Sequence, residues 1–258
     1  MRFLAWNILH GGGPARMPEI AHAIAALAPD VVALSEVRRT TGGQIAGALA
    51  DVGLSHWHWT DPSAGINGVL IASRIPFVAT RFDPPAAQRL LAARFPLLDL
   101  NILAAHVPPE PGRERVHAWR ALLNHAKSLA HQQTLVLGDL NAGRDGDLHA
   151  LKLDGQESLG KLWTWGYRDL FRKENTGPTE FSWLTPDRQG GGRIDHAIAS
   201  ATLATSHSSV RYSHTERDLR ISDHSVLLVD LALPHASGGT HDLPSSRPPR
   251  GGGSLFSP

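Results

Sequence analysis

The chain contains no cysteine. That absence excludes disulfides, thiolate catalysis and cysteine-based zinc sites, and it permits a reducing compartment. The expected location is the cytoplasm. Nor is there an apolar run near the roughly 20 residues that a membrane helix requires. Met1-Arg2-Phe3-Leu4-Ala5-Trp6-Asn7 is apolar for only four residues before a polar Asn, without a signal-peptide layout, so this stretch is expected to belong to the fold. Excess charge of one sign is lacking too. With 25 Lys and Arg against 24 Asp and Glu the net charge is +1, which by itself argues for no nucleic-acid partner. No internal repeat of fixed period is visible.

What remains is a chain of 258 residues and 41% hydrophobic content, enough for a sizeable core. Residues 2–6 read as a strand, followed by Asn7 and a loop with Gly11-Gly12-Gly13. Pro18-Glu19 is expected to open a helix with Ile20, Ile24 and Leu27 on one face, which Pro29-Asp30 stops. Residues 31–34 form an apolar strand ending in Ser35-Glu36. A second helix is expected over about 41–52. Strands are expected over 55–59, 68–73, 77–82, 90–95 and 97–105, the last ending in His106. Residues 113–130 are the clearest helix, with Val116, Trp119, Leu122, Leu123, Ala126 and Leu129 at helical spacing. Short helices are expected within 144–165, a helix start at 166–172, and strands over 193–199 and 226–233. From 234 to 258 the composition turns to Gly, Ser, Pro and Arg, which predicts a disordered tail after a domain spanning 1–233.

One stretch organises the rest: Leu135-Val136-Leu137-Gly138-Asp139-Leu140-Asn141. It reads as a buried strand that stops where its polar residues begin. If strand geometry persists, Asp139 and Asn141 point to the same side. The alternative is a strand ending in an Asx turn. Other apolar runs also end in polar residues: Asn7, Glu36, His106, Asp195 with His196, and Asp223 with His224. Such an oxygen-rich set, gathered from distant parts of the chain, suits a hard cation, Mg²⁺ or Mn²⁺. Zinc is disfavoured, because no His pair has short ligand spacing beside a carboxylate. The alternating pair His56 and His58 reads as a strand face, and His196 is expected to face away from Asp195.

The ordered set Trp6-Asn7, Leu34-Ser35-Glu36, Asn67-Gly68, His106, Gly138-Asp139-Leu140-Asn141, Arg193-Ile194-Asp195 and Ser222-Asp223-His224 resembles the endonuclease/exonuclease/phosphatase superfamily over residues 1 to about 233. The C-terminal half is similar to the exonuclease III and abasic-site endonuclease branch through residues 165–172, Phe181-Ser182-Trp183, Arg193-Ile194-Asp195 and Ala199-Ser200. It departs from that branch at Ser35, where Gln is usual, and at His106, where Tyr is usual. A His there is the pattern of deoxyribonuclease I, sphingomyelinases and inositol-phosphate phosphatases. The resemblance implies an α/β fold: a deoxyribonuclease I-like four-layer α-β-β-α sandwich of two mainly antiparallel sheets.

It also implies a monomeric, metal-dependent phosphoesterase, foremost a nuclease hydrolysing DNA, with a small-molecule or lipid phosphate as the alternative substrate. A non-catalytic module that kept the fold is disfavoured, because every expected chemical position is filled. By resemblance, Glu36 is the principal metal ligand, Asn7 helps to hold metal or phosphate, and Asp223 reaches the metal site. Asp139 orients and deprotonates the attacking water, while Asn141 donates to the phosphate. His224, steered by Asp195, contacts phosphate or takes the proton. His106 is a phosphate donor or general acid, with Asn67 a candidate to orient it. Trp183 either stacks on substrate or belongs to the core. Arg74, Arg113, Arg115 and Arg144 read as solvated residues sooner than as phosphate contacts.

Overall fold

The computed structural model describes residues 1–84, 86–175, 180–206 and 208–233. In chain order these carry β1 (Arg2–Asn7), α1 (Gly13–Leu27), β2 (Val31–Val37), α2 (Gly42–Asp51), β3 (His56–Trp59), β4 (Gly68–Ser73), β5 (Val78–Arg81), β6 (Leu90–Phe95) and β7 (Leu100–His106). Next come α3 (Arg113–Ser128), β8 (Thr134–Asp139), β9 (Leu148–His149), α4 (Gln156–Thr164), β10 (Arg168–Asp169) and α5 (Leu170–Glu174). The described chain closes with β11 (Trp183–Leu184), β12 (Gly191–Gly192), β13 (Asp195–Ala199), α6 (Ala201–Ala204), β14 (Ser208–Ser213), α7 (Thr215–Asp218) and β15 (Val226–Leu231). The expected tail over 234–258 lies outside the described residues.

Two six-stranded sheets form the centre, in the orders β14-β15-β1-β2-β4-β3 and β10-β13-β8-β7-β6-β5. Each has one parallel pair at its middle, β1 with β2 and β7 with β8, flanked by antiparallel neighbours. Strand alternation divides the apolar residues between faces. Phe3, Ala5, Val31 and Ile71 of the first sheet face Leu91, Phe95, Ile102, Leu135 and Leu137 of the second. The opposite faces carry Leu4, Trp6 and Leu34, covered by Ile20 and Ile24 of α1 and Leu49 of α2, and Leu103 and Val136, covered by Trp119 and Leu122 of α3 and Leu159 of α4. Three apolar interfaces therefore separate four layers, α-β-β-α, as expected. Among the described residues no helix is long and apolar enough to cross a membrane.

Local corrections follow from backbone chemistry. Helix α1 begins at Gly13 with a proline in its first turn, so Pro18 lies inside it and does not open it. Proline there removes one backbone hydrogen bond, a cost of about 3 kcal/mol that the burial of Ile20 and Ile24 offsets. Residues 168–169 are a two-residue strand before α5, whose start is capped by Asp169 accepting from the Arg172 N–H. Strand β13 begins at Asp195 and not at Arg193. Asp147 and Asp169 both pair with the guanidinium of Arg193, which is wholly buried.

The topology brings the polar strand ends together. In the parallel pairs, β1, β2, β7 and β8 all run toward one edge of the sandwich, where Asn7, Glu36, His106 and Asp139 stand. Their antiparallel neighbours β13 and β15 begin at that edge, next to Asp195 and His224.

Candidate active site

Strand β8 stops at Asp139 because Gly138 and Asn141 take positive φ, 133° and 45°. Gly138 is required: a Cβ there would fall on the carbonyl oxygen of Ala105 in the paired strand. The Asn141 N–H donates to Asp139 Oδ1 at 2.9 Å. The Asx turn is therefore real, and strand geometry does not persist to Asn141. The turn also serves the site, because it fixes one oxygen of Asp139 and leaves Oδ2 facing the cleft. Asn141 turns its own amide to the Val107 carbonyl at 2.9 Å, where one of its two N–H groups remains for another acceptor.

Glu36 is placed by a bulge. The pairing of β2 with β4 shifts register between Ser35 and Val37, and Glu36 adopts φ 62°. A non-glycine residue there costs on the order of 1–2 kcal/mol, and such outliers gather where a side chain must be aimed. Asn7 at the end of β1 spans the two sheets: its Nδ2 donates to Glu36 Oε1 at 3.2 Å and to Asp139 Oδ2 at 3.0 Å. Its Oδ1 accepts from the Leu9 N–H at 3.0 Å, which sets the orientation of the amide. Glu36 Oε2 accepts from the His10 N–H at 2.7 Å and lies 2.9 Å from His10 Nδ1. Leu9 to Gly13 all have positive φ, a left-handed run that turns His10 back onto Glu36.

Asp195 enters from β13 directly opposite Asp139. Its Oδ2 accepts from His224 Nδ1 at 2.8 Å, and its backbone is held by Ser182 Oγ and the Tyr212 hydroxyl. The segment around His224 is stitched to β1: Trp6 Nε1 donates to the His224 carbonyl and Ser222 Oγ to that of Asn7. His224 Nε2 then faces Asp139 Oδ2 at 3.9 Å. Burial pulls this imidazole down, but the Asp195 carboxylate, by charge and hydrogen bond, and Asp139 and Asp223 push it up to about 10. Burial and the facing Asp195 carboxylate push the Asp139 carboxyl up to about 7.

His106 ends β7 beside Asp139. Its Nδ1 lies 3.1 Å from Arg89 Nη1, while its Nε2, 3.7 Å from Glu36 Oε1 and 4.0 Å from Asp139 Oδ2, is buried without a partner. Burial drives its pKa down to about 4; Glu36 opposes the shift, while Arg89 and His224 reinforce it. Asn67 does not orient His106, as the sequence suggested. Its Oδ1 accepts from Arg38 Nε at 2.9 Å and its Nδ2 lies 3.5 Å from His10 Nδ1. Asp223 Oδ2 accepts from the indole N–H of half-buried Trp183 at 3.0 Å, so these two rim residues form a pair.

The structure thus brings Asn7, Glu36, His106, Asp139, Asp195 and His224 into one cluster, in which Asn7 bonds Glu36 and Asp139, His224 bonds Asp195, and His106 and His224 face Asp139 at 4.0 and 3.9 Å. Asn141 adjoins it through the turn at Asp139, with Trp183 and Asp223 on one flank and Asn67 on the other. Sequence reasoning missed His10, Arg38 and Arg89. None of them ends an apolar run with a polar pair, and the Gly-rich stretch after His10 was the one available signal. Arg115 is neither solvated nor a phosphate contact: it is buried and donates to the carbonyls of Pro108, Asn141 and Asp154. His196 faces away from Asp195 as expected, onto the Ala142 carbonyl.

Asp139, Asp195 and His224 each offer a ligand atom within 4.8 Å of the others, a group that could hold a metal ion. The hydrogen bond of His224 to Asp195 engages two of the three. The oxygens free of that bond belong to Asp139 and Glu36, together with the unpartnered, buried Asp195 Oδ1. An anionic, oxygen-lined cluster with an orphaned acceptor fits a hard divalent cation.

The model of the Endonuclease/Exonuclease/phosphatase family matches residues 4–224. Among solved structures, a 3′ phosphatase from Neisseria bound to product DNA hairpin is 22% identical with a TM-score of 0.76, covering 90% of this chain and 99% of its own. A 3′-5′ exonuclease from Neisseria meningitidis is 23% identical, TM-score 0.75, with 90% and 99% covered. An AP endonuclease from Archaeoglobus fulgidus is 18% identical, TM-score 0.78, with 90% and 100% covered. At these identities the likeness is one of fold. Among curated proteins none matches the chain.

Proposed function

We propose, from the premise that this chain belongs to the endonuclease/exonuclease/phosphatase family, that it is a metal-dependent phosphoesterase hydrolysing phosphate esters of DNA. The observation that carries the reading is the Asn7 side chain, which bonds Glu36 and Asp139 at once and so joins the rims of both sheets into one anionic centre. Glu36, with Asn7 beside it, would hold Mg²⁺ or Mn²⁺, whose charge would neutralise the phosphate and activate a bound water.

The remaining chemistry belongs to the chain. Asp139, fixed through Oδ1 by the Asx turn, presents Oδ2 to take a proton from the attacking water. His224, its Nδ1–H bonded to Asp195, presents Nε2–H to a phosphoryl oxygen. His106 Nε2 and the free N–H of Asn141 are further donors for charge that develops on the non-bridging oxygens. Trp183, held by Asp223, supplies an aromatic edge beside the centre for a base or sugar.

The test is a substrate panel with Mg²⁺ or Mn²⁺: plasmid, abasic duplex, 3′-phosphate DNA, RNA, sphingomyelin and inositol phosphates. Turnover of a DNA substrate is expected, and it should stop with chelator. Turnover of a lipid or small phosphate with none of any nucleic acid would overturn the DNA reading and leave a phosphatase or phosphodiesterase built on the same centre.

A further inference from the structure

The two histidines of the centre are wired in opposite senses through the same ring nitrogen. His224 Nδ1 faces a carboxylate, Asp195 Oδ2, at 2.8 Å. His106 Nδ1 faces a guanidinium, Arg89 Nη1, at 3.1 Å. Guanidinium nitrogens have only N–H groups to offer, so this contact requires a lone pair on His106 Nδ1. A ring with a bare Nδ1 carries its hydrogen on Nε2. That atom is buried without a partner and points between Glu36 Oε1 and Asp139 Oδ2, beyond hydrogen-bond reach of either. A buried N–H with no acceptor costs about 1–3 kcal/mol and is retained where something else supplies the acceptor.

Arg89 is itself held on several sides. Its carbonyl accepts from the His106 N–H at 2.9 Å, and its Nη2 donates to Glu114 Oε2 of α3 at 3.3 Å. Backbone and side chain therefore grip His106 from the same residue, just before β6.

The geometry points to Arg89 as a positioning residue: by donating to His106 Nδ1 it holds His106 as the neutral Nε2–H tautomer, a fixed hydrogen-bond donor for a phosphoryl oxygen lying between Glu36 and Asp139. His106 then does not act as an acid that surrenders a proton to the leaving group. The phosphoryl acceptor rests on the proposed function; the tautomer does not. Proton transfer falls to Asp139 and His224, and His106 contributes only the direction of its N–H.

Long-range ¹⁵N–¹H spectroscopy of the histidine-labelled full chain tests this, with His106→Gln used to assign the ring. Near neutral pH the wild-type His106 should show a bare Nδ1 and a protonated Nε2. Arg89→Leu should convert it to the other tautomer or a mixture and lower kcat about tenfold or more with little change in KM. Arg89→Lys keeps a donor and should retain the wild-type tautomer and most of the rate. A wild-type His106 protonated at Nδ1, or an Arg89→Leu protein with unchanged tautomer and rate, overturns the proposal. If no nucleic acid is turned over, the proposed function fails while the spectrum still decides the tautomer.

Discussion

Asp139 and Asp195 stand directly opposite each other in the antiparallel β8–β13 pair, and both carboxylates are buried. Like charges facing across a ladder are unfavourable, and the structure resolves the conflict asymmetrically. Asp195 is joined to His224, which supports its ionised form, while Asp139 has only the Asn7 amide and its own Asx turn, and its carboxyl is pushed up to about 7. One carboxylate thus fixes an imidazole, and the other is left poised near neutrality to accept a proton.

Replacing Asp139 by Asn should therefore separate activity from stability. The substitution removes the proton acceptor and should lower kcat on the order of 10³-fold. It also removes the repulsion with Asp195, at the cost of the bond from Asn7, so the melting temperature should stay within about 3 °C of wild type. A variant that unfolds would instead assign Asp139 a structural role.

Glu36→Gly should behave as a mirror case. Glycine adopts φ 62° without strain, whereas Glu36 holds it against about 1–2 kcal/mol. The melting temperature should be no lower than wild type, while the heat of Mg²⁺ or Mn²⁺ binding in titration calorimetry disappears. Unchanged cation binding would remove Glu36 from the ligand set.

Gly138→Ala should do the reverse, damaging the fold before the chemistry. The added methyl meets the Ala105 carbonyl, and φ 133° disfavours any L side chain. Together these should cost about 2–5 kcal/mol in denaturant unfolding. A change below about 0.5 kcal/mol would show that β7 and β8 can separate locally.

Arg193→Met tests the buried network beneath the site. Burial alone would raise the carboxyls of Asp147 and Asp169, but Arg193 with Arg172 for the former, and His196 with Arg193 for the latter, hold both below the usual carboxylate range. Depressed carboxyls stabilise the fold fully above their unfolded value near pH 4 and lose that contribution as pH falls. Wild-type melting temperature should therefore drop between about pH 4 and pH 2. Arg193→Met should cost about 3–5 kcal/mol at neutral pH and flatten or reverse that acid dependence. An unaltered acid limb would place the titrating groups elsewhere.

Much of this was legible in the residues. The apolar runs and their polar ends marked Asn7, Glu36, His106 and Asp139, because a strand buried on both faces leaves little room for polar groups except at its rim. Pro18 misled, since proline usually opens a helix but can be carried inside one when the buried face compensates. Asn67 misled too. Its dipeptide with Gly68 fitted the ordered motif, but which side chain it meets depends on the bulge at Glu36 and the left-handed run at Leu9–Gly13, and neither departure from regular geometry is encoded in residue periodicity.

The sequence by itself determined the two faces of each strand and the composition of the rim: alternation split the apolar residues between faces, and Asn, Asp, Glu and His residues closed the strands. Only the tertiary structure decided which charges face which. Asp139 lies opposite Asp195, His224 meets a carboxylate and His106 meets Arg89. Those pairings bring together residues distant along the chain, through strand register and the packing of two sheets. The electrostatic character of each group depends on the neighbour it is given and not on its own identity.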